Sequence, residues 1–566
     1  MPIRTAGLSA RARRALLLVA VLLLAAVGFG VQRATGGDDP ARGGAAAVPA
    51  GPRTADRIIP VPLSVTAGSG PGYRLTGRTV VRTVPGAEAV ERQAGEVRRI
   101  AEQLAEALRR PTGLPLPVVA DAGPAGADRT AADPADGIGL LLDPGLPEAT
   151  GTEGYRLTAD ATGVRIAART AEGLFRGTQT LRQLLPPQIE SPRPVTGGPE
   201  WTVAPVTVED RPRYGYRGAM LDVARHFFTP AEVKGFIDRL ALYKINQLHL
   251  HLSDDQGWRI EIPSRPALTS VGAVSEVDGT PGGFYTAADY QEIVRYAQER
   301  YLTVVPEVDL PGHSNAILAS YPELDCTRSA RPWPYTGIEV GFSTLCPTGD
   351  EVFAFTQEVI TEVARLTPGP YLHLGGDEVK KISPAEYAEF VRRVGAQVLA
   401  AGKTPVGWNQ TAPGGVGVLQ FWDGRAGRDV ELKEAAERGA KVIMSPSGRT
   451  YLDMKYEAGY PLGLVWAGTI DVRSAYSWDP DTLVPLPAGS VLGVEAPLWT
   501  ETLDTPEKLD LMLLPRLPAL AELGWSSKES HSWERFSTRL AEEGARWEAA
   551  GYRYEKRGEV PWPVTR

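Results

Sequence analysis

The sequence predicts an α/β protein, a (β/α)8 TIM barrel preceded by a smaller α+β domain. Three observations carry this. From about Glu209, short apolar runs alternate with amphipathic stretches, and eight such units in about 320 residues fit a barrel with loop insertions. No glycine-rich phosphate fingerprint follows the first run, as a doubly wound open sheet would want. Finally, each run ends in polar or aromatic residues, as the reactive C-terminal face of a barrel requires.

Length and composition set the outer bounds. A chain of 566 residues is too long for one ordinary core and calls for two or more domains. With 43% hydrophobic and 23% charged residues it is soluble and globular in type. A net charge of -8 argues against a nucleic-acid partner, which would want a basic face.

Residues 1–32 read as a signal peptide or membrane anchor. Arg4, Arg11, Arg13 and Arg14 precede an apolar run of 17 residues, Ala15 to Val31, the secretory pattern with its arginines on the cytoplasmic side. That length falls between a cleaved signal and a spanning helix, so cleavage is left open. No cysteine follows closely, which excludes a lipoprotein anchor. The protein is therefore expected to be secreted or anchored on the extracellular side, meeting a membrane only through this segment. Cys326 and Cys346 could be buried thiols, a disulfide or part of a metal site. Neither has a second Cys or His at ligand spacing, which counts against metal. Export favours a disulfide, contributing about 3 kcal/mol.

Residues 33–57 are small, polar and rich in Pro and Gly, a flexible linker. Residues 58–205 form the α+β unit, with strands at Thr79–Val84, Gly139–Leu142 and Val164–Ala168 and amphipathic helices at Ala89–Leu108 and Ala171–Leu185. In the second helix Leu174, Phe175, Thr178, Leu181 and Leu184 share one face. The expected role of this unit is to brace the next domain. Residues 206–525 form the barrel. Its strands are Arg217–Val223, Gln247–Leu252, Leu302–Pro306, Tyr371–Leu374, Thr404–Gly407, Val416–Phe421, Lys441–Ser445 and Val491–Ala496. Helices are predicted at Pro230–Tyr243, Ala288–Arg300 (opened by a Thr286…Asp289 cap), Glu351–Arg365, Pro384–Ala401, Val430–Arg438 and Pro506–Ala521. Residues 526–566 read as one further helix and a tail.

The strand ends concentrate the chemistry. In order they offer Asp222, Arg225 and His226; Asp254 and Asp255; Glu307, Asp309 and His313; Asp377 and Glu378; Trp408 and Asn409; Trp422 and Asp423; Tyr451 and Asp453; Trp499 and Glu501. Any one of these has a bland reading, with Trp in a core and Asp or Asn capping a helix. Asp377 and Glu378 could likewise start the following helix, where acids are favoured. Eight strand ends behaving alike argue for one shared pocket instead. Its mixture of oriented hydrogen-bonding groups and tryptophan faces suits a sugar, which has hydroxyls at its rim and C–H faces above and below. His249 and His251 put two imidazoles on one strand face. No third ligand stands at motif spacing, so they are read as core residues or as supports behind the site, and neither metal nor cofactor is expected.

Four segments resemble glycoside hydrolase family 20, the β-N-acetylhexosaminidases: Arg217-Gly-Ala-Met-Leu-Asp-Val-Ala-Arg-His226, His251-Leu-Ser-Asp-Asp255, Pro306-Glu-Val-Asp-Leu-Pro-Gly-His313 and His373-Leu-Gly-Gly-Asp-Glu378. The resemblance spans roughly Ile58 to Trp525. It implies an exo-acting, retaining hydrolase that removes terminal N-acetylhexosamine from oligosaccharides, chitin fragments among them, with the substrate's own 2-acetamido oxygen as nucleophile. By the same resemblance Glu378 is the acid and base, Asp377 orients the acetamido N–H, and Tyr451 donates to its oxygen. Trp408, Trp422 and Trp499 wall the pocket, Arg225 and Glu501 hold the 3- and 4-hydroxyls, and Asp453 holds the 6-hydroxyl. Asp254 and His313 form a relay onto Glu378. Two rival readings share the barrel: a disaccharide-releasing enzyme of the same mechanism, and a non-catalytic glycan-binding protein.

Overall fold

The computed structural model describes residues 55–84, 91–120, 137–424 and 429–563. The predicted export segment and nearly all of the predicted linker lie outside them. Among the described residues no helix is long and apolar enough to cross a membrane.

The first unit is a seven-stranded mixed sheet. Its strands are β1 (Ser64–Ala67), β2 (Val80–Val84), β3 (Val118–Ala120), β4 (Gly137–Leu142), β5 (Tyr155–Asp160), β6 (Gly163–Ala168) and β7 (Val206–Asp210), in the order β1-β7-β5-β6-β4-β2-β3. Along β5 buried and exposed residues alternate, while the Gly-Ile-Gly-Leu-Leu-Leu run of β4 is buried throughout. Helices α1 (Glu91–Thr112) and α2 (Ala171–Leu184) pack against the sheet. β7 corrects the expected domain boundary. The expected boundary put Val206 at the start of the barrel, yet Val206–Asp210 pairs antiparallel with β5 and with β1. An alternating strand looks the same whichever sheet it joins.

The sequence reading gave α2 one apolar face, and the structure buries both. Leu174, Leu181 and Leu184 meet the core, while Arg176 on the other side is also fully buried. Its guanidinium donates to Glu153 at 3.0 Å and to the carbonyl of Tyr301 at 2.9 Å, a residue of the barrel. Gln183 likewise reaches the carbonyl of Leu242 at 3.3 Å. α2 is thus held between the sheet and the barrel, and its polar face is satisfied by pairing.

The predicted barrel is present and closed. Eight parallel strands run in sequence order: β8 (Tyr216–Asp222), β9 (Gln247–His251), β10 (Thr303–Glu307), β11 (Tyr371–His373), β12 (Thr404–Trp408), β13 (Val418–Phe421), β14 (Lys441–Met444) and β15 (Val491–Leu498), with β15 pairing back to β8. Around them lie α3 (Pro230–Leu242), α4 (Ala287–Gln298), α5 (Asp350–Leu366), α6 (Pro384–Ala400) and α7 (Asp429–Glu437). Helices α3, α4 and α6 begin with full capping boxes, Thr229/Glu232, Thr286/Asp289 and Ser383/Glu386, which satisfy otherwise orphaned N–H groups. The single helix expected over Pro506–Ala521 is two, α8 (Pro506–Leu513) and α9 (Arg516–Trp525). Pro515 between them lacks the N–H a continuous helix needs. A last helix, α10 (Trp533–Ala550), packs near both α2 and the end of α3. Trp547 donates to the Tyr243 hydroxyl at 2.7 Å, and Arg546 to the carbonyl of Gln183 at 3.1 Å.

Candidate active site

Strand β11 is three residues long, and the chain leaves it through Leu374-Gly375-Gly376. Both glycines are left-handed, at φ +68° and +94°. A Cβ on Gly375 would stand 1.8 Å from the Asp309 carboxylate, and one on Gly376 would stand 2.4 Å from the Thr411 side chain. Only glycine passes here. Glu378 is also left-handed at φ +53°, as is His313 at +48°, each at a cost of about 1–2 kcal/mol. Helix α6 starts only at Pro384, so neither Asp377 nor Glu378 caps it. The turn sinks Asp377, with 12% of its side chain exposed, and leaves Glu378 more open at 28%.

Both side chains face one imidazole. His313 Nε2 lies 3.8 Å from Asp377 Oδ2 and 3.9 Å from Glu378 Oε2, while its Nδ1 is 3.2 Å from Asp254 Oδ1. Burial disfavours a charged His313, but Asp254, Asp309 and Asp377 outweigh it, and the ring is held well above the usual histidine range. Asp254 is buried too, yet Arg225 at 2.7 Å, with His313 and His251, holds its carboxyl far below the ordinary range. Asp377 is pushed up by burial; His313 opposes this and Glu378 adds to it. Beneath it Asp309 is pushed up further, by burial and then by the Asp377 charge, and it accepts the Gly376 N–H at 2.8 Å. Asp309 and Asp377 are thus neighbouring buried carboxyls, both raised chiefly by burial. Asp309 stood in the sequence motif without a role, and the Glu307-Val-Asp309 alternation was the signal available for it.

These groups open into a cavity of about 990 Å³. Arg225, His313, Asp377, Glu378, Trp422, Tyr451, Trp499 and Glu501 all line it, joined by Trp466 and Arg449. Tyr451 sits among three indoles, with ring centroids 6.5 Å from Trp422, 5.7 Å from Trp466 and 6.2 Å from Trp499. Burial, then the Asp377 charge, raises the Tyr451 phenol, so it stays protonated and able to donate. Arg225 lies over the face of Trp499 at 4.8 Å. Trp466 is 54% exposed at the mouth. Sequence reasoning missed it because the segment between β14 and β15 has no period to read.

Two expected lining residues stand behind the wall. Trp408 is fully buried, 6.1 Å centroid to centroid from Trp499, and donates to Glu307 at 2.9 Å. Asp453 is buried against the backbone, its Oδ1 3.5 Å from the Trp499 nitrogen. Strand-end position predicted the right region but not the depth. His249 and His251 lie in the barrel interior, as read from the sequence. Carboxylate and imidazole atoms come within 4.8 Å of one another in three groups: His249/Glu307/His373, Asp254/Asp309/His313 and His313/Asp377/Glu378. The first two are wholly buried acid–base clusters, and the third faces the cavity. Cys326 and Cys346 are joined by a disulfide. It closes the loop that carries Val340, another residue of the cavity wall.

The sequence matches the profile described as Glycosyl hydrolase family 20, catalytic domain, over residues 214–386 and 382–528. It matches Glycosyl hydrolase family 20, domain 2, over residues 55–211, a limit that agrees with β7. It is 42% identical over 513 residues to a β-N-acetylhexosaminidase of Cellulomonas fimi, covering 89% of this chain and 97% of that one. Among solved structures it is similar to the GH20 β-N-acetylhexosaminidase of Streptomyces coelicolor A3(2), with a TM-score of 0.84, 49% identity, and 91% and 100% of the two chains covered. A mutant Streptomyces plicatus β-hexosaminidase solved with its product GlcNAc is equally similar, at TM-score 0.84 and 49% identity over 91% of this chain and 99% of that one.

Proposed function

The chain belongs to glycosyl hydrolase family 20, and from that premise we propose how Glu378 and Asp377 divide the work. The protein is an exo-acting, retaining β-N-acetylhexosaminidase, a glycoside hydrolase acting on terminal β-linked N-acetylhexosamine by substrate-assisted catalysis. One observation carries the division of labour. Both carboxylates face the same His313 nitrogen, so they stand side by side. A retaining enzyme with its own nucleophile sets two carboxyls across the sugar from each other.

Glu378, the more open of the two, gives its proton to the glycosidic oxygen as the bond to the anomeric carbon breaks. The acetamido oxygen of the same sugar attacks that carbon, forming an oxazolinium ion. Asp377 accepts the acetamido N–H, aims the oxygen and stabilises the positive charge that develops. Tyr451 donates its hydroxyl to the acetamido oxygen. Water then opens the ring, giving its proton to Glu378, and configuration is retained. Arg225 and Glu501 take the ring hydroxyls, Trp422 and Trp499 wall the pocket, and Trp408 backs Trp499. Trp466 at the mouth offers a stacking face to the sugar on the leaving side.

Chitin-derived oligosaccharides are the substrate class this reading favours. The disulfide and the arginine-flanked apolar N-terminus support export, to the outside of the cell or to its outer surface. Colour release from a nitrophenyl N-acetylglucosaminide tests the activity, and chitobiose against longer oligomers tests the exo mode. Release of single sugars from the end of every oligomer is expected; release of disaccharides would point to the related cleavage mode.

A further inference from the structure

The relay that ends at Glu378 does not begin at Asp254. Behind Asp254 lies His251, fully buried at the end of β9. Its Nε2 is 2.9 Å from Asp254 Oδ2, and its Nδ1 is 2.5 Å from Glu307 Oε2. Strand register sets this up, because His251 and Glu307 are direct partners at the ends of β9 and β10. A ring with a carboxylate oxygen on each nitrogen can satisfy both only by donating from both. Glu307 is itself fully buried, and its other oxygen takes the Trp408 N–H at 2.9 Å.

We infer, building on the mechanism above, that Glu307 is a positioning residue of the reaction: it holds His251 as a fixed imidazolium that anchors Asp254 and so sets the charge His313 and Glu378 feel. The line Glu307–His251–Asp254–His313–Glu378 alternates in sign from the barrel interior to the cavity. Other groups face it at each step. His249 lies 3.2 Å from Glu307 and bonds Glu495 at 2.8 Å, and His373 Nδ1 lies 3.0 Å from the Glu307 oxygen that takes the Trp408 N–H. Asp255 adjoins Asp254, while Arg225, itself facing Asp222 and Gln256, binds Asp254. Asp309 and Asp377 flank His313, and exposed Lys380 is two residues from Glu378. Among the described residues only His251 joins Asp254 to the interior carboxylate. With its neighbours the His251 ring is raised to about 10, in line with the geometry.

Removing the Glu307 charge frees His251 to lose its Nδ1 proton. That exchange takes away one negative and one positive charge, and the positive one lies nearer Asp254 and His313. The surroundings of Glu378 become more negative, and the acid keeps its proton to higher pH. Glu307→Gln, which retains an acceptor for Trp408, is therefore expected to move the alkaline limb of kcat/KM upward by about half to one pH unit with little change in KM. In a His251→Gln background the same substitution should no longer raise the limb, because the charge it acts through is gone. Activity lost without movement of the limb, or equal shifts in both backgrounds, would overturn the assignment. Should a variant not fold, the unsubstituted protein still decides. The ring-labelled histidine NMR spectrum must show His251 carrying both protons at pH 8, whatever the substrate proves to be. A neutral His251 there refutes the proposal and leaves the hydrolase reading untouched.

Discussion

Two regions of this molecule bury charge, and they treat it in opposite ways. Where the N-terminal sheet meets the barrel, Arg176, Arg217 and Lys244 stand against Glu153, Glu172 and Asp210. Arg217 and Arg176 each donate to Glu153 at 3.0 Å, Arg176 to Glu172 at 3.0 Å, and Lys244 to Asp210 at 2.9 Å. Tyr155, Trp525 and the backbone N–H groups of Leu63 and Arg211 also donate to Asp210. Charges balance, and none of these six side chains leaves a buried polar atom without a partner. At the cavity Asp377, Glu378 and Glu501, with Asp254 and Asp309 beneath them, face chiefly Arg225 and His313, and Asp453 is buried behind the wall. Among the described residues His313 Nε2, Asp377 Oδ1 and Asp453 Oδ2 have no hydrogen-bond partner in the protein. A balanced cluster fixes two domains together. A cluster with excess negative charge and unpaired atoms costs stability, and that cost is tolerable only where a substrate developing positive charge will meet it.

The contrast can be broken from either side. Glu378→Gln should cut kcat on oligosaccharides by roughly 10²–10⁴-fold, the usual span for losing an acid–base group, with the melting temperature nearly unchanged. Arg217→Met should do the reverse. It leaves Glu153 buried beside one fewer cation, costing about 3–5 kcal/mol in a denaturant titration, while turnover per folded molecule holds. Asp377→Asn should lower kcat by about 10²-fold, more than it raises KM, because Asp377 acts as charge develops; steady-state kinetics separate the two. Glu378→Asn should stabilise the fold by up to about 1 kcal/mol, since Asn tolerates the left-handed backbone better and removes a charge beside Asp377. The smallest effect concerns pH. Burial, then the Glu501 charge, raises Asp453 above its unfolded value, so its cost grows as pH rises above about 4 and vanishes as pH falls toward that value. Asp453→Asn should thus stabilise at pH 7 and do nothing at pH 4. Glu153 runs the other way. Burial raises it, but Arg217 and Arg176 outweigh that and hold it low, so its contribution is present above about 4.5 and is lost as pH falls through the lower folded value. Melting curves should show the Asp453 site losing stability as pH rises above about 4 and the Glu153 site losing it as pH falls below about 4.5.

Much of this was legible before any coordinates. Alternating apolar runs announced the barrel, and the polar strand ends announced its reactive face, because both follow from local periodicity. Depth was not legible. Trp408 and Trp499 both stand at strand ends in the same pattern, yet one is packed beneath the other. Arg176 and Gln183 read as the wet face of a helix, and only tertiary partners explain their burial. Trp466 sits in a segment with no repeat, so its place at the mouth emerges from folding alone.

The most direct test compares a nitrophenyl β-N-acetylglucosaminide with the matching β-glucoside, which carries a hydroxyl in place of the 2-acetamido group. If the sugar's own amide is the nucleophile that Asp377 steers, the first is cleaved and the second is not. Comparable rates on both would mean that a protein side chain attacks the anomeric carbon, and the assignment of the unpaired carboxylates would be wrong.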